Sequence, residues 1–261
     1  MLIFKRFFKD LSGRREYLLY STKYELKVQL SRTYLGYVWW ILDPLFYMLV
    51  YMLIVMVIFQ RGEKDFPVFV FCALVPWKWT LKTIMDSINS IKSRTNILNQ
   101  VYIPKPVIPF IKILTNTVYF FFGLVVLVIL IRFFKIPVTF HYLESIIIFL
   151  VQFLFIFGLS LIFSHLGVFF KDIRNILAFT VRLWFYLSPG LYSLDRIPEN
   201  IRFLWWINPL TTFFISYRNV FLYGESPLYL QLSIWTIVSI LTIFLGLKLL
   251  YKYDKKYMKF V

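Results

Sequence analysis

The sequence predicts an all-α integral membrane protein with six transmembrane helices, an N-terminal interfacial helix and a re-entrant hairpin before the last helix. Three observations carry that prediction. Of 261 residues, 60% are hydrophobic and only 16% charged, too few charges to clothe a water-soluble domain of this size. Lipid must then serve as solvent for much of the exterior. The apolar residues fall in runs of roughly 20, the length of one bilayer crossing. The basic residues, which bring the formal charge to +16, lie mostly between or beside those runs. There they orient a chain in a membrane and meet anionic headgroups, so nucleic acid is not the expected partner.

The chain opens with Leu2, Ile3, Phe4, Phe7, Phe8 and Leu11 interleaved with Lys5, Arg6 and Lys9. Residues 1–30 read as an amphipathic helix on the inner leaflet, with a disordered basic arm as the alternative. No clean apolar core with a small-residue cleavage site is present, so the first apolar run is expected to remain as a signal-anchor. Residues 31–261 form a single domain, with spans at about 38–59, 66–88, 108–131, 145–170, 173–191 and 228–250.

Span one carries Tyr37, Trp40, Tyr47 and Tyr51 at helical spacing, broken by Pro44. Span two is apolar to about Leu81 and then acquires a polar face. Lys78, Lys82 and Asp86 follow at i, i+4 and i+8, and Lys82 with Asp86 can pair. Either that stripe faces a polar cavity or partner helix, or this helix end has already left the membrane. Residues 93–103 follow, with Asn96, Ile97, Leu98, Val101 and Tyr102, and Pro104, Pro106 and Pro109 stop them sharply. A short exposed helix with one apolar side suits a groove on a soluble protein.

His165, near the inner end of span four, reads as an interfacial histidine rather than a proton relay. Span five carries Arg182, about 12 Å beyond Arg174, which is deep for snorkelling, together with Trp184 and Tyr186. Asp43 is either the partner of Arg182 or a cap on a backbone break before Pro44. Beyond span five, Phe203–Ile207 and Leu210–Leu222 are each too short to cross and are separated by Asn208-Pro209. Region 198–222 is read as the re-entrant hairpin, with a pair of helices lying on the outer surface as the alternative.

Orientation follows the basic residues. Inside are the N-terminal segment, Lys92, Arg94 and Lys105, the Lys171–Arg174 turn, and the tail with Lys252, Lys255, Lys256 and Lys259. Outside are Arg61, Lys64, Lys135, Arg196, Arg202 and Arg218. The inner side is the more basic, so both termini are expected in the cytoplasm.

Enzymatic signatures are not found. Cys72, His141 and His165 are the only cysteine and histidines, too few to suggest a metal site. No G-x-x-x-x-G-K-[ST] loop, H-E-x-x-H or arguable Ser/His/Asp set occurs. If ATP drives this protein, another chain binds it. The aromatic residues, 21% of the chain, exceed what two interfacial belts require. A stripe of rings can pass a long glycan by contacting the C–H faces of its sugars, although lipid-facing bulk is the plainer reading for any single ring.

The sequence resembles the membrane subunits of type 2 ABC exporters for lipid-linked surface polysaccharides, namely O-antigen, teichoic-acid and group 2 capsule permeases. Arg32-Thr33-Tyr34-Leu35-Gly36, through Trp39 or Trp40 to Pro44-Leu45, resembles the R-x-x-L-G-x-x-W…P-L opening of that family. Leu74-Val75-Pro76-Trp77 is similar to its second-helix motif. Asn96, Leu98, Val101, Pro104 and Pro109 resemble its coupling segment. Leu187-Ser188-Pro189, Ile197-Pro198 and Asn208-Pro209-Leu210 with Arg218 resemble its outer region. Two departures stand out: Lys171-Asp172 where Arg-Asp is usual, and Gly190 where a β-branched residue is common.

The resemblance implies a half-transporter that works as a homodimer, with two copies of a separate ABC ATPase that binds ATP and Mg. No cofactor is expected in this chain. It would carry a lipid-linked polysaccharide out across a bacterial inner membrane. Tyr37, Trp40, Tyr47, Tyr51, Arg182, Trp184 and Tyr186 then become channel candidates for the glycan and its diphosphate headgroup. Asn96, Ile97, Leu98, Val101 and Tyr102 become the ATPase contact. The alternatives are an ABC permease for a drug or other small lipid, a secondary transporter, and a membrane transferase acting on lipid-linked sugars.

Overall fold

The computed structural model describes residues 2–31, 33–63 and 65–257. Arg32, Lys64 and Lys259 of the sequence reading lie outside the described residues. Helices account for all the regular structure there. The N-terminal segment folds as α1 (Leu2–Gly13) and α2 (Arg15–Ser31). Then come α3 (Val38–Met52), continued by a π-helical turn over Leu53–Ile58, and α4 (Phe66–Ile88). The short α5 (Thr95–Gln100) leads into α6 (Val107–Phe133) and α7 (Ser145–Phe169). The chain ends with α8 (Ile173–Tyr186), α9 (Glu199–Trp206), α10 (Pro209–Arg218), α11 (Tyr229–Lys252) and α12 (Asp254–Tyr257).

Among the described residues, five helical stretches are long and apolar enough to cross a bilayer: Val38–Ile58, Phe66–Ile88, Val107–Phe133, Phe140–Phe169 and Tyr229–Lys252. They coincide with five of the six expected runs. The remaining run behaves differently. The expected span at 173–191 becomes a helix of 14 residues, about 21 Å long against a hydrocarbon core of about 30 Å. Its end has a local cause. Ser188 Oγ donates to the carbonyl of Trp184 at 2.6 Å, and Pro189 offers no N–H to continue the ladder.

Helix α4 is the axis of the bundle. Every residue from Phe66 to Thr80 is buried, and α3, α6, α7, α8 and α10 all pack on it. Its apolar residues run all the way round, as suits a helix enclosed by others. The most extensive pairing joins α7 to α11 and depends on absent side chains. A methyl group added at Gly246 would sit 2.5 Å from Leu161 Cβ, so the backbones approach as closely as small residues allow in lipid. Helix α3 runs unbroken through the buried Pro44, so Asp43 caps no break there. Helix α1 docks on the bundle through Phe7, whose ring lies 5.9 Å from that of Phe110 and 5.5 Å from that of Phe157.

The expected cytoplasmic helix over 93–103 is shorter than its sequence suggested. A 3-10 turn at Lys92–Arg94 precedes the six residues of α5, and Val101 is already extended. Residues 198–222, expected as a re-entrant hairpin, contain α9 and α10, which meet at Asn208, whose side chain accepts from Leu210 N at 3.0 Å and caps α10.

Candidate functional site

Charged groups converge between α3, α4, α6 and α8, on a face where Arg182 is exposed and Asp43 keeps 41% of its side chain accessible. Asp43 lies on α3, Lys78, Lys82 and Asp86 on α4, Tyr119 on α6 and Arg182 on α8, and together they line one cavity of ≈ 280 Å³. Measured along their helices, Asp43, Lys78 and Arg182 stand roughly 8–15 Å from the ends that carry the basic turns. Lys78 Nζ donates to Asp43 Oδ2 at 2.9 Å, and Tyr119 O–H donates to the same oxygen at 2.9 Å. The Lys78 ammonium also stands 3.4 Å from the Tyr47 ring centroid, close enough for a cation–π contact.

Asp43 therefore pairs with Lys78 and not with Arg182. Lys82 and Asp86 do meet, at 3.9 Å, and Asn116 Nδ2 donates to Asp86 at 2.9 Å. Arg182 lines the cavity with no carboxylate partner among the described residues.

The aromatic residues singled out by sequence occupy different positions. Trp40 and Tyr51 are buried. Trp40 packs edge-on to Tyr37, Tyr119 and Phe122, and Tyr51 stacks on Phe185 at 5.7 Å. Tyr37, Tyr47 and Tyr186 are exposed, and the hydroxyls of Tyr51 and Tyr186 face each other at 3.4 Å. Trp184 already has its N–H occupied, donating to Asn208 Oδ1 at 2.8 Å.

That contact belongs to a lock at the far end of α8. Asn208 Nδ2 donates to Ser188 Oγ at 2.7 Å. Arg218, buried on α10, donates from Nη1 to the carbonyl of Pro189 at 2.6 Å and from Nη2 to that of Gly190 at 2.7 Å. Its Nε reaches the carbonyl of Phe69 at 3.1 Å, with the guanidinium over the Phe69 ring. One side chain thus ties the turn after α8 to the start of α4.

The opposite end carries a second cluster. Glu25 of α2 receives Lys112 Nζ of α6 at 2.8 Å and also pairs with Arg94, ahead of α5. Arg94 Nη1 donates to Tyr17 O–H at 2.7 Å. Tyr102 O–H donates to Asp254 Oδ2 at 2.7 Å, its carbonyl accepts from Arg14 at 3.2 Å, and Asp254 lies 3.5 Å from Lys105. Burial, and then the bond to Asp254, push the Tyr102 phenol above its ordinary pKa. Leu98 is buried and anchors α5, leaving Asn96, Ile97, Val101 and Tyr102 exposed beyond it. His165 meets Tyr257 O–H at 2.6 Å, so the tail is fastened to α7 as well.

Sequence reasoning missed Glu25, Arg94, Tyr17, Lys112 and Tyr119 as members of these clusters. Lys112 left a signal, being a charge inside the apolar run 108–131. The others left none, because their partners are remote in sequence.

Residues 16–222 match the family described as "ABC-2 type transporter". An O-antigen export system permease protein RfbA from Klebsiella pneumoniae is 30% identical over 238 residues, covering 88% of this chain and 92% of the relative. The protein of the same name from Myxococcus xanthus is 30% identical over 224 residues, 85% and 86% of the two chains. A polysialic acid transport protein KpsM from Escherichia coli is 24% identical over 234 residues, 86% and 88%.

Proposed function

Because this chain belongs to the ABC-2 type transporter family, we propose that it is the membrane permease of an ATP-driven exporter. The cargo is a polysaccharide carried on a lipid, moved from the cytoplasm to the outer face of a bacterial inner membrane. One observation supports this above the rest. The chain pairs a polar, ionisable cleft between α3, α4, α6 and α8 with an exposed apolar patch at Ile97, Val101 and Tyr102 on the basic side. A cavity of this kind is costly in lipid and marks a substrate path. An exposed patch fastened to the bundle by Leu98, Tyr102 and Arg94 suits a soluble protein that pushes on it.

The rest of the assembly follows from that reading. Two copies of the chain enclose the channel, and two copies of a separate ABC ATPase dock beneath and supply the ATP and Mg site. Helices α1 and α2 lie along the inner leaflet. With its locked turn, α8 makes a sixth crossing and α9–α10 dip back from the outer face, which returns the C-terminus to the cytoplasm. Tyr37, Tyr47 and Tyr186 offer exposed rings to passing sugars, while Trp40 and Tyr51 hold those rings in place and Trp184 packs on Phe155 behind them.

The test is to delete the gene and locate the lipid-linked polysaccharide. Finished chains trapped on the cytoplasmic side are the expected result. Short or absent chains would instead indicate a synthetic enzyme, and an unchanged cell surface would mean a different cargo such as a drug or small lipid.

A further inference from the structure

The C-terminal turn carries one acid among its lysines. From Leu250 onward the sequence holds Lys252, Lys255, Lys256 and Lys259, with Asp254 as the sole carboxylate side chain. An acid so placed has lysines of its own segment to pair with, yet it reaches across the fold. Asp254 accepts from Tyr102 O–H at 2.7 Å, 152 residues back in the chain, and lies 3.5 Å from Lys105 Nζ. Only 3% of the Lys105 side chain and 14% of the Asp254 side chain are exposed. Both groups have given up water for this contact.

The turn itself is firmly held. Tyr257 is fully buried, its hydroxyl 2.6 Å from His165 Nδ1 and its ring 5.7 Å from that of Phe169. Near the end of α11, Tyr251 donates to Asp10 of α1 at 2.6 Å. The far partners sit on the segment that needs holding. Residues 101–104, between α5 and α6, carry no regular structure, so no backbone ladder stiffens them. Arg14 takes the Tyr102 carbonyl at 3.2 Å, and Asp254 takes the hydroxyl of the same residue. Glu25 secures the approach to α5 through Arg94; Asp254 secures its exit.

We propose that Asp254 is a positioning residue for the ATPase contact. The C-terminal turn braces the linker over 101–105, so that a push on α5 moves α6 and α11 together instead of bending the linker. Tyr102 belongs to the exposed patch and Lys105 stands two residues ahead of α6, so one carboxylate spans the linker. The bond to Tyr102 is short and charge-assisted, the stronger kind of hydrogen bond. This rests on the export reading above, and gives the tail a mechanical role besides its positive charge.

The experiment uses the permease co-purified with its ATPase, as wild type, Asp254→Ala, Asp254→Asn and Tyr102→Phe. Amide hydrogen exchange is followed over residues 95–106 and, for reference, over α4. Export is read as surface polysaccharide when each variant is returned to a deletion strain, and ATP hydrolysis on the purified complex. Asp254→Ala is expected to raise exchange over 95–106 about tenfold and leave α4 at the wild-type rate. Surface polysaccharide should fall severalfold and ATP hydrolysis less, with the ATPase still co-purifying. Asp254→Asn keeps an acceptor for Tyr102 and should show a smaller rise in exchange. Adding Tyr102→Phe to Asp254→Ala should raise exchange no further, because the bond is already gone.

Wild-type exchange over 95–106 in Asp254→Ala overturns the brace, as does faster exchange with undiminished export. If Asp254→Ala exchanges faster throughout, α4 included, the fold has loosened and Tyr102→Phe decides. A local rise with impaired export in that variant supports the brace; wild-type exchange or wild-type export overturns it. The export reading fails separately, when deleting the gene leaves surface polysaccharide intact. Where a wild-type copy restores export and every variant restores it equally, only the brace is lost.

Discussion

Glu25 on α2 and Lys112 on α6 meet at 2.8 Å, and Arg94 just ahead of α5 closes on the same carboxylate. All three side chains are largely removed from solvent. A single acid therefore joins the N-terminal segment, the approach to the exposed α5 patch and the foot of a long membrane helix. Force applied at α5 would reach α6 and α2 through this carboxylate, because the neighbouring contact of Arg94 with Tyr17 leads only back to α2.

Glu25→Gln is accordingly expected to leave two cations facing a neutral amide. The variant should lose about 3 kcal/mol of stability, the low end for removing one partner of a buried ion pair. In the assembled exporter it should lower polysaccharide moved per ATP hydrolysed severalfold, with the ATPase still bound. Glu25→Asp should recover part of that coupling. The check is ATP turnover and export measured on the same preparation. An unchanged ratio would mean that the cluster is only a structural tie.

Ile97 and Val101 project from the surface while Leu98 is buried between them, so the three positions should separate docking from folding. Ile97→Glu or Val101→Glu adds a charge to an already solvated site, costing the fold within about 0.5 kcal/mol, but it should abolish co-purification with the ATPase. Leu98→Glu would bury a charge and should reduce the amount of folded protein instead. Equal pull-down of the ATPase by Ile97→Glu and wild type would remove this patch as its contact.

Arg218 satisfies carbonyls of Phe69, Pro189 and Gly190 at once. In Arg218→Met all three acceptors lose that donor in a buried setting, at a cost expected to exceed about 3 kcal/mol. Arg218→Lys keeps the charge but cannot fork to two neighbouring carbonyls, so it should recover less than half. The loss should localise to the turn after α8. Limited proteolysis in detergent would show faster cleavage between residues 187 and 207, ahead of any global melting.

What was legible in the sequence divides along physical lines. The apolar runs at Val38–Ile58, Phe66–Ile88, Val107–Phe133, Phe140–Phe169 and Tyr229–Lys252 announce themselves because length and hydropathy are local properties. The Lys82–Asp86 pair was legible for the same reason, being an i, i+4 pair on one helix. The end of α8 was not. The apolar character continues to Leu191, but Ser188 and Arg218 take the backbone carbonyls of Trp184 and of the turn, and Asn208 holds the Ser188 hydroxyl, through bonds spanning 4 to 29 residues. Asp43, Lys78 and Arg182 could each be flagged as charges inside a span. Which of them pair depends on helix packing, and the sequence alone offers Asp43 either Arg182 as a partner or a capping role, but not Lys78. Glu25 gave no sign at all, as one acid in a basic segment whose partners lie 69 and 87 residues away.

The pairing of Asp43 with Lys78 lends itself to a double-mutant cycle in detergent. Lys78→Met leaves Asp43 held by Tyr119 alone, and Asp43→Asn leaves a lysine with 10% of its side chain exposed without its acid. Each single change should destabilise the protein by about 2 kcal/mol, because an orphaned charge retains its desolvation cost when its partner is removed. The double variant should lose much less than the sum of the two, since a neutral Asn beside Met leaves no charge to solvate. A positive coupling of more than about 1 kcal/mol is expected for groups in direct contact. Additive losses would mean that water reaches both groups and the pair contributes little.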